Sequence, residues 1–133
     1  MVPDTLAYQW FVEMLRKFRL TFSVLNQETY LEEGTNPFAE KQLVITGTGF
    51  LRGSDMARNM AMSAPWDIMV VDEAHQLAWA PGHPSPEYQI IENLSKNIRG
   101  LLLLTATPGQ LGKEGHFARL RLLDPDRFTD YAQ

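Results

Sequence analysis

The chain has no cysteine among its 133 residues, which removes disulfide scaffolds and thiolate metal sites and gives no support to secretion. It also lacks an apolar run of membrane-spanning length, and Met1-Val2-Pro3-Asp4 carries neither the basic start nor the apolar stretch of an export signal. A cytoplasmic protein without membrane contact is expected. Positive charge is not in excess: 12 Lys and Arg stand against 16 Asp and Glu, a net charge of −4. That balance disfavours a free-standing binder of nucleic-acid phosphates, although one lobe of a two-lobed protein can hold nucleic acid through a few local groups. The three histidines form no His-x-x-x-His pair, so the pattern of a zinc hydrolase is absent. His83 and His116 read as surface or packing residues.

What is present is the balance of a folded domain, 44 % hydrophobic and 21 % charged. One domain spanning 1–133 is expected. Leu6, Trp10, Met14 and Phe18 recur every fourth residue after Pro3 and predict an amphipathic helix over 5–18. Short strands are expected at 21–25 and 42–46, and a helix at 54–63 with Met56, Met60 and Met62 as its inward stripe. The runs 67–72 and 100–105 are continuously apolar inside polar or glycine ends, as strands buried on both faces of a parallel sheet are. Tyr88, Ile91, Leu94 and Ile98 supply the crossover helix over 86–98 that a parallel pair requires. The fold class is therefore α/β, a mostly parallel sheet flanked by helices. Thr46, Asp72 and Thr105 are expected at carboxyl ends of strands along one sheet edge, where ligands bind in open α/β folds.

The sharpest signal is Val70-Val71-Asp72-Glu73-Ala74-His75, an apolar strand stopping on two adjacent acids. Splitting a nucleoside triphosphate needs one carboxylate to hold hydrated Mg²⁺ and a second to orient or deprotonate the attacking water. Asp72 suits the first task and Glu73 the second; an Asp72 that merely caps a following helix is the bland alternative. About thirty residues on, Leu103-Leu104-Thr105-Ala106-Thr107-Pro108 ends another apolar strand on small hydroxyls. These hydroxyls are placed to hydrogen-bond the acids or His75, or simply to close a turn.

Together these segments resemble superfamily 2 helicase-like proteins of the Swi/Snf type. Val71–His75 resembles their motif II, the Walker B or DEAH-box element, and Leu104–Pro108 their motif III. Val2–Leu6 with Gln9-Trp10 resembles motif Ia, and Leu43–Thr48 stands where motif Ib would. The likeness to the bacterial RNA polymerase-associated ATPases of this family runs through Gln9–Leu15, Asn36-Pro37-Phe38, Gln110-Leu111-Gly112 and His116–Pro125. The resemblance implies a RecA-like lobe of the P-loop NTPase class, from motif Ia to just past motif III. It implies ATP and Mg²⁺ as cofactors of the intact protein, with Asp72 coordinating the metal, Glu73 activating water, and His75, Thr105 and Thr107 coupling hydrolysis to movement. Pro3, Thr5, Thr46 and Thr48 would line the nucleic-acid groove, with backbone amides of Gly47-Thr48-Gly49-Phe50 touching phosphates. The implied partners are RNA polymerase and DNA, with RNA as the alternative, and the implied role is polymerase recycling in transcription.

A phosphate-binding loop is missing from this sequence. Gly112-Lys113 is a decoy, since Thr107 stands where the loop's first Gly belongs and Glu114 where Ser or Thr belongs. The expectation is a truncated first lobe that neither hydrolyses ATP nor binds it tightly alone, and that dimerises through an exposed sheet edge. The rival reading is a stand-alone, non-catalytic α/β module that docks on a protein partner. Trp66 and Trp79 read as packing residues, and Arg119 and Arg121 as solvated cations.

Overall fold

Parallel pairing of short strands joined by helical crossovers organises the chain, in a computed structural model that describes residues 1–29, 34–106 and 112–132. Two compact units result, Met1–Pro65 and Trp66–Gln133.

In the first unit a 3-10 turn, Asp4–Leu6, leads into α1, Ala7–Phe18. The expected helix is there, but none of its residues is fully buried and Phe18 is 61 % exposed. Glu13 and Lys17 pair one turn apart at 2.6 Å, and the hydrogen bond and charge of Lys17 hold the Glu13 carboxyl below its usual range. Arg19 stops the helix in the left-handed region, its N–H donating to the Leu15 carbonyl. Strand β1, Ser23–Leu25, pairs in parallel with β2, Val44–Thr46, and α1 packs on both. Between them lies α2, Pro37–Glu40, capped by the Asn36 side chain, which accepts from the Phe38 N–H. Two further helices follow, α3, Thr48–Gly53, and α4, Asp55–Ser63. The inward face of α4 is Ala57 and Ala61, whereas Met56 and Met62 are exposed. This corrects the expected methionine stripe: α4 packs against α2 and α3 on its small residues.

In the second unit β3, Ile68–Val71, pairs in parallel with β4, Gly100–Leu103, across the crossover helix α5, Pro86–Ser95. Helix α6, Gly112–Leu123, packs against α5. The strands and the crossover stand where the apolar runs placed them. Burial differs. Met69 and Val71 face the core, but Ile68 is 60 % exposed and Leu102 is exposed with it, so one face of this pair is better covered than the other. Thr46 ends β2 and Asp72 follows β3, strands of different two-stranded sheets, β1–β2 and β3–β4, where a single sheet was expected.

Candidate functional site

The last residues of β3 and β4 are tied together by backbone. The Leu104 N–H donates to the Val71 carbonyl at 2.8 Å, and the Ala74 N–H donates to the Leu104 carbonyl at 2.9 Å. Between Val71 and Ala74 the chain must leave the strand and enter the 3-10 turn Ala74–Gln76. It does so at Glu73, which adopts φ 52° and ψ 42°. A left-handed conformation costs a non-glycine residue roughly 1–2 kcal/mol, and such outliers gather at functional sites. Asp72 and Glu73 are both half-buried there, and Ala74 anchors the turn in the core.

His75 is held from two sides. Its Nε2 lies 3.1 Å from Glu73 Oε2 and its Nδ1 lies 3.1 Å from Thr105 Oγ1. An acceptor carboxylate at Nε2 places a proton on that nitrogen. In the neutral ring Nδ1 then accepts from the Thr105 hydroxyl, and in the charged ring it donates to it. One histidine therefore links the acid that follows β3 to the hydroxyl that follows β4. Sequence reasoning named all three residues. The other hydroxyl named with them, Thr107, lies outside the described residues. As a metal site the donor set is oxygen only, and among the described residues no three His, Asp or Glu side chains converge. Oxygen donors are the chemistry Mg²⁺ takes, one or two carboxylates together with waters and substrate phosphates.

The nucleic-acid candidates of the first unit also come together. Val2 bridges to Gly47 in parallel: its N–H donates to the Thr46 carbonyl at 3.0 Å, and its carbonyl accepts from the Thr48 N–H at 2.9 Å. Pro3 and Thr48, both half-buried, thus follow directly on this bridge, and Thr5 is exposed in the 3-10 turn after Pro3. Thr46 is turned inward, 6 % exposed, its hydroxyl donating to the Leu25 carbonyl. The Thr48 hydroxyl donates to the Val2 carbonyl. The backbone amides expected to meet phosphates are also engaged, that of Thr48 with Val2 and that of Phe50 with the Asp4 carboxylate. The Thr46 hydroxyl and the Thr48 and Phe50 amides, placed along the nucleic-acid groove by the resemblance, thus each have an internal partner in this structure. Sequence reasoning missed this use of Asp4. The available signal was the pair Gly47 and Gly49 beside a strand end.

The loop after His75 is fixed by aromatic packing. The Trp79 ring lies 5.3 Å from that of Phe117 and 6.0 Å from that of Tyr131, and Tyr88 flanks it at 6.4 Å, as the packing reading of Trp79 anticipates. His83 and His116 are exposed. Arg119, read as solvated, is 8 % exposed, because α6 turns it inward beside Ala118 and Leu122. Arg121 faces Glu92 of α5 at 3.6 Å.

Among described residues no helix is long and apolar enough to cross a membrane. No protein-family profile matches the chain. Curated relatives do. RNA polymerase-associated protein RapA of Vibrio atlanticus (strain LGP32) is 54 % identical over 133 residues, 98 % of this chain. RapA of Klebsiella pneumoniae (strain 342) is 56 % identical over 135 residues, 99 % of this chain, and RapA of Vibrio cholerae serotype O1 (strain M66-2) is 55 % identical over 133 residues. The chain spans about 14 % of the length of each of these relatives. In sequence the chain resembles one segment of these RapA proteins along nearly its whole length.

Proposed function

We propose, from this kinship with one segment of the RapA proteins, that the chain forms part of the first RecA-like lobe of an ATP-driven nucleic-acid translocase that acts with RNA polymerase in transcription. The observation that carries the proposal is the relay Glu73–His75–Thr105 across the paired ends of β3 and β4. An acid held near, but not inside, the core by a hydrogen-bonded imidazole is suited to orient a water for attack on a terminal phosphate. Asp72, one residue earlier, would hold hydrated Mg²⁺, whose charge offsets that of the phosphates when it is bound. The sequence contains no Gly-Lys-Ser or Gly-Lys-Thr loop, so in this reading the β- and γ-phosphates are held by groups elsewhere in the full-length protein.

His75 gives the hydrolytic end a mechanical outlet. Glu73 reorients as the phosphate leaves, the imidazole follows its hydrogen bond, and the Thr105 hydroxyl must then exchange or lose its partner. Thr105 lies beyond β4, at the start of the segment that leads to α6. A small change at the phosphate is thereby passed beyond the end of β4.

The test is ATP hydrolysis by the full-length protein carrying this segment. Glu73→Gln is expected to lower kcat by roughly 10²–10⁴ while leaving ATP affinity near wild type. Thr105→Val is expected to reduce stimulation by nucleic acid more than the unstimulated rate. A Glu73→Gln enzyme that turns over normally would remove the acid from this role and the proposal with it.

A further inference from the structure

The 3-10 turn at Asp4–Leu6 and the start of α3 are joined by one side chain. Asp4 Oδ1 accepts a hydrogen bond from the Phe50 N–H at 3.2 Å. The carboxylate reaches that amide by lying across two glycines. A Cβ at Gly47 would overlap Asp4 Oδ1 and come within 2.6 Å of its Cγ, and a Cβ at Gly49 would overlap Oδ2 and come within 3.1 Å of Cγ. Gly47 has φ −85°, and Gly49 is not among the positive-φ glycines. Neither position needs glycine for its backbone conformation, so both are glycine for space. At Gly49 the three atoms nearest an added Cβ all belong to the Asp4 side chain.

We propose that Asp4 is a positioning residue for nucleic-acid binding: its carboxylate, seated over Gly47 and Gly49, latches the Pro3–Thr5 turn to the Thr48–Phe50 turn so that both meet a sugar-phosphate backbone as one fixed ledge. The proposal rests on the nucleic-acid reading given above. A backbone contacting two turns that move independently must order both on binding, and the latch supplies that order in advance. The charge of Asp4 works the other way. An exposed carboxylate beside a phosphate track repels it, so the side chain is retained there in spite of its charge, for the hydrogen bond it accepts.

These opposed effects separate Asp4→Asn from Asp4→Ala. The asparagine keeps an oxygen for the Phe50 N–H and removes the charge; the alanine removes both. Binding of labelled duplex DNA, single-stranded DNA and RNA to the full-length protein would be followed by fluorescence anisotropy at low salt. Asp4→Ala is expected to weaken binding roughly fivefold, the size of a lost cap, and Asp4→Asn to match or exceed wild type. Gly49→Ala is expected to weaken binding as Asp4→Ala does, and to cause no further loss in the Asp4→Ala background. Unchanged affinity in Asp4→Ala, equal losses in the two Asp4 variants, or additive losses in the double variant would each overturn the positioning role. A wild-type protein that binds none of the three nucleic acids would instead overturn the nucleic-acid reading beneath it. Circular dichroism of every variant at the assay temperature separates loss of the latch from loss of the fold; a folded Asp4→Ala protein with weakened binding is the supporting result.

Discussion

Tyr88 offers a stability test in which one atom is removed and two effects of opposite sign follow. Its ring is 1 % exposed and its hydroxyl donates to the Ala118 carbonyl at 2.8 Å, joining α5 to α6. Tyr88→Phe keeps the ring against Trp79 and deletes only this bond, so at pH 7 the second unit should lose about 1–1.5 kcal/mol. The pH dependence runs the other way. Burial, and then the charge of Glu92, push the Tyr88 hydroxyl up to about 12, with Arg121 partly opposing. Below pH 10 the folded and unfolded chains both keep this proton. Between pH 10 and 12 the unfolded chain releases it while the folded chain must hold it, so wild-type stability falls across that window, by about 1.4 kcal/mol per pH unit. Phenylalanine has no such proton. The wild-type advantage should therefore shrink above pH 10, vanish near pH 11 by this arithmetic, and reverse beyond it. Urea unfolding of both proteins from pH 7 to 12, followed by tryptophan fluorescence, measures the difference with the other tyrosines cancelling. A difference that is absent at pH 7, or that stays constant from pH 9 to 12, would refute the reasoning.

Two further substitutions test other parts of the chain. Asn36 caps α2 through Oδ1 and donates through Nδ2 to the Met60 carbonyl at 2.8 Å and to Ser63 Oγ at 3.0 Å, so Asn36→Ala should destabilise the first unit by about 1–3 kcal/mol in urea unfolding. A loss well below 1 kcal/mol would mean that water replaces these bonds. Glu73→Gly should raise stability by about 1 kcal/mol by relieving the left-handed backbone, while hydrolysis by the full-length protein disappears. A destabilised glycine variant would show that the pairing with His75 outweighs the strain.

The parts of the fold that were legible were those in which hydrophobicity alone decides the element. The runs ending at Val71 and Leu103 contain little but branched apolar residues, and Tyr88, Ile91 and Leu94 between them can form one buried face only as a helix. The misread parts turned on shape. Helix α4 presents Ala57 and Ala61 inward because small side chains suit its packing against neighbouring helices, and a hydrophobicity pattern favours the larger methionines. Helix α3 was not foreseen because Gly47-Thr48-Gly49-Phe50 was read only for its backbone amides, whereas both glycines lie against a carboxylate from a residue more than forty positions away. The link from Glu73 through His75 to Thr105 was legible because a parallel crossover returns the next strand beside the first and brings both ends to the same level. Thr46 obeys the same rule at the end of β2, yet nothing in its local sequence told that its hydroxyl would turn toward Leu25.

The backbone of Glu73 carries a consequence for how this position can vary. Glycine and asparagine fit a left-handed turn more easily than glutamate does, so selection for a sturdier fold alone would drift toward them. Under the hydrolytic role proposed for Glu73, the need for a carboxylate at this point works against that drift. In that reading thermal robustness and chemistry favour different amino acids here, and a stabilised descendant of this chain obtained by unconstrained design would tend to lose its acid first.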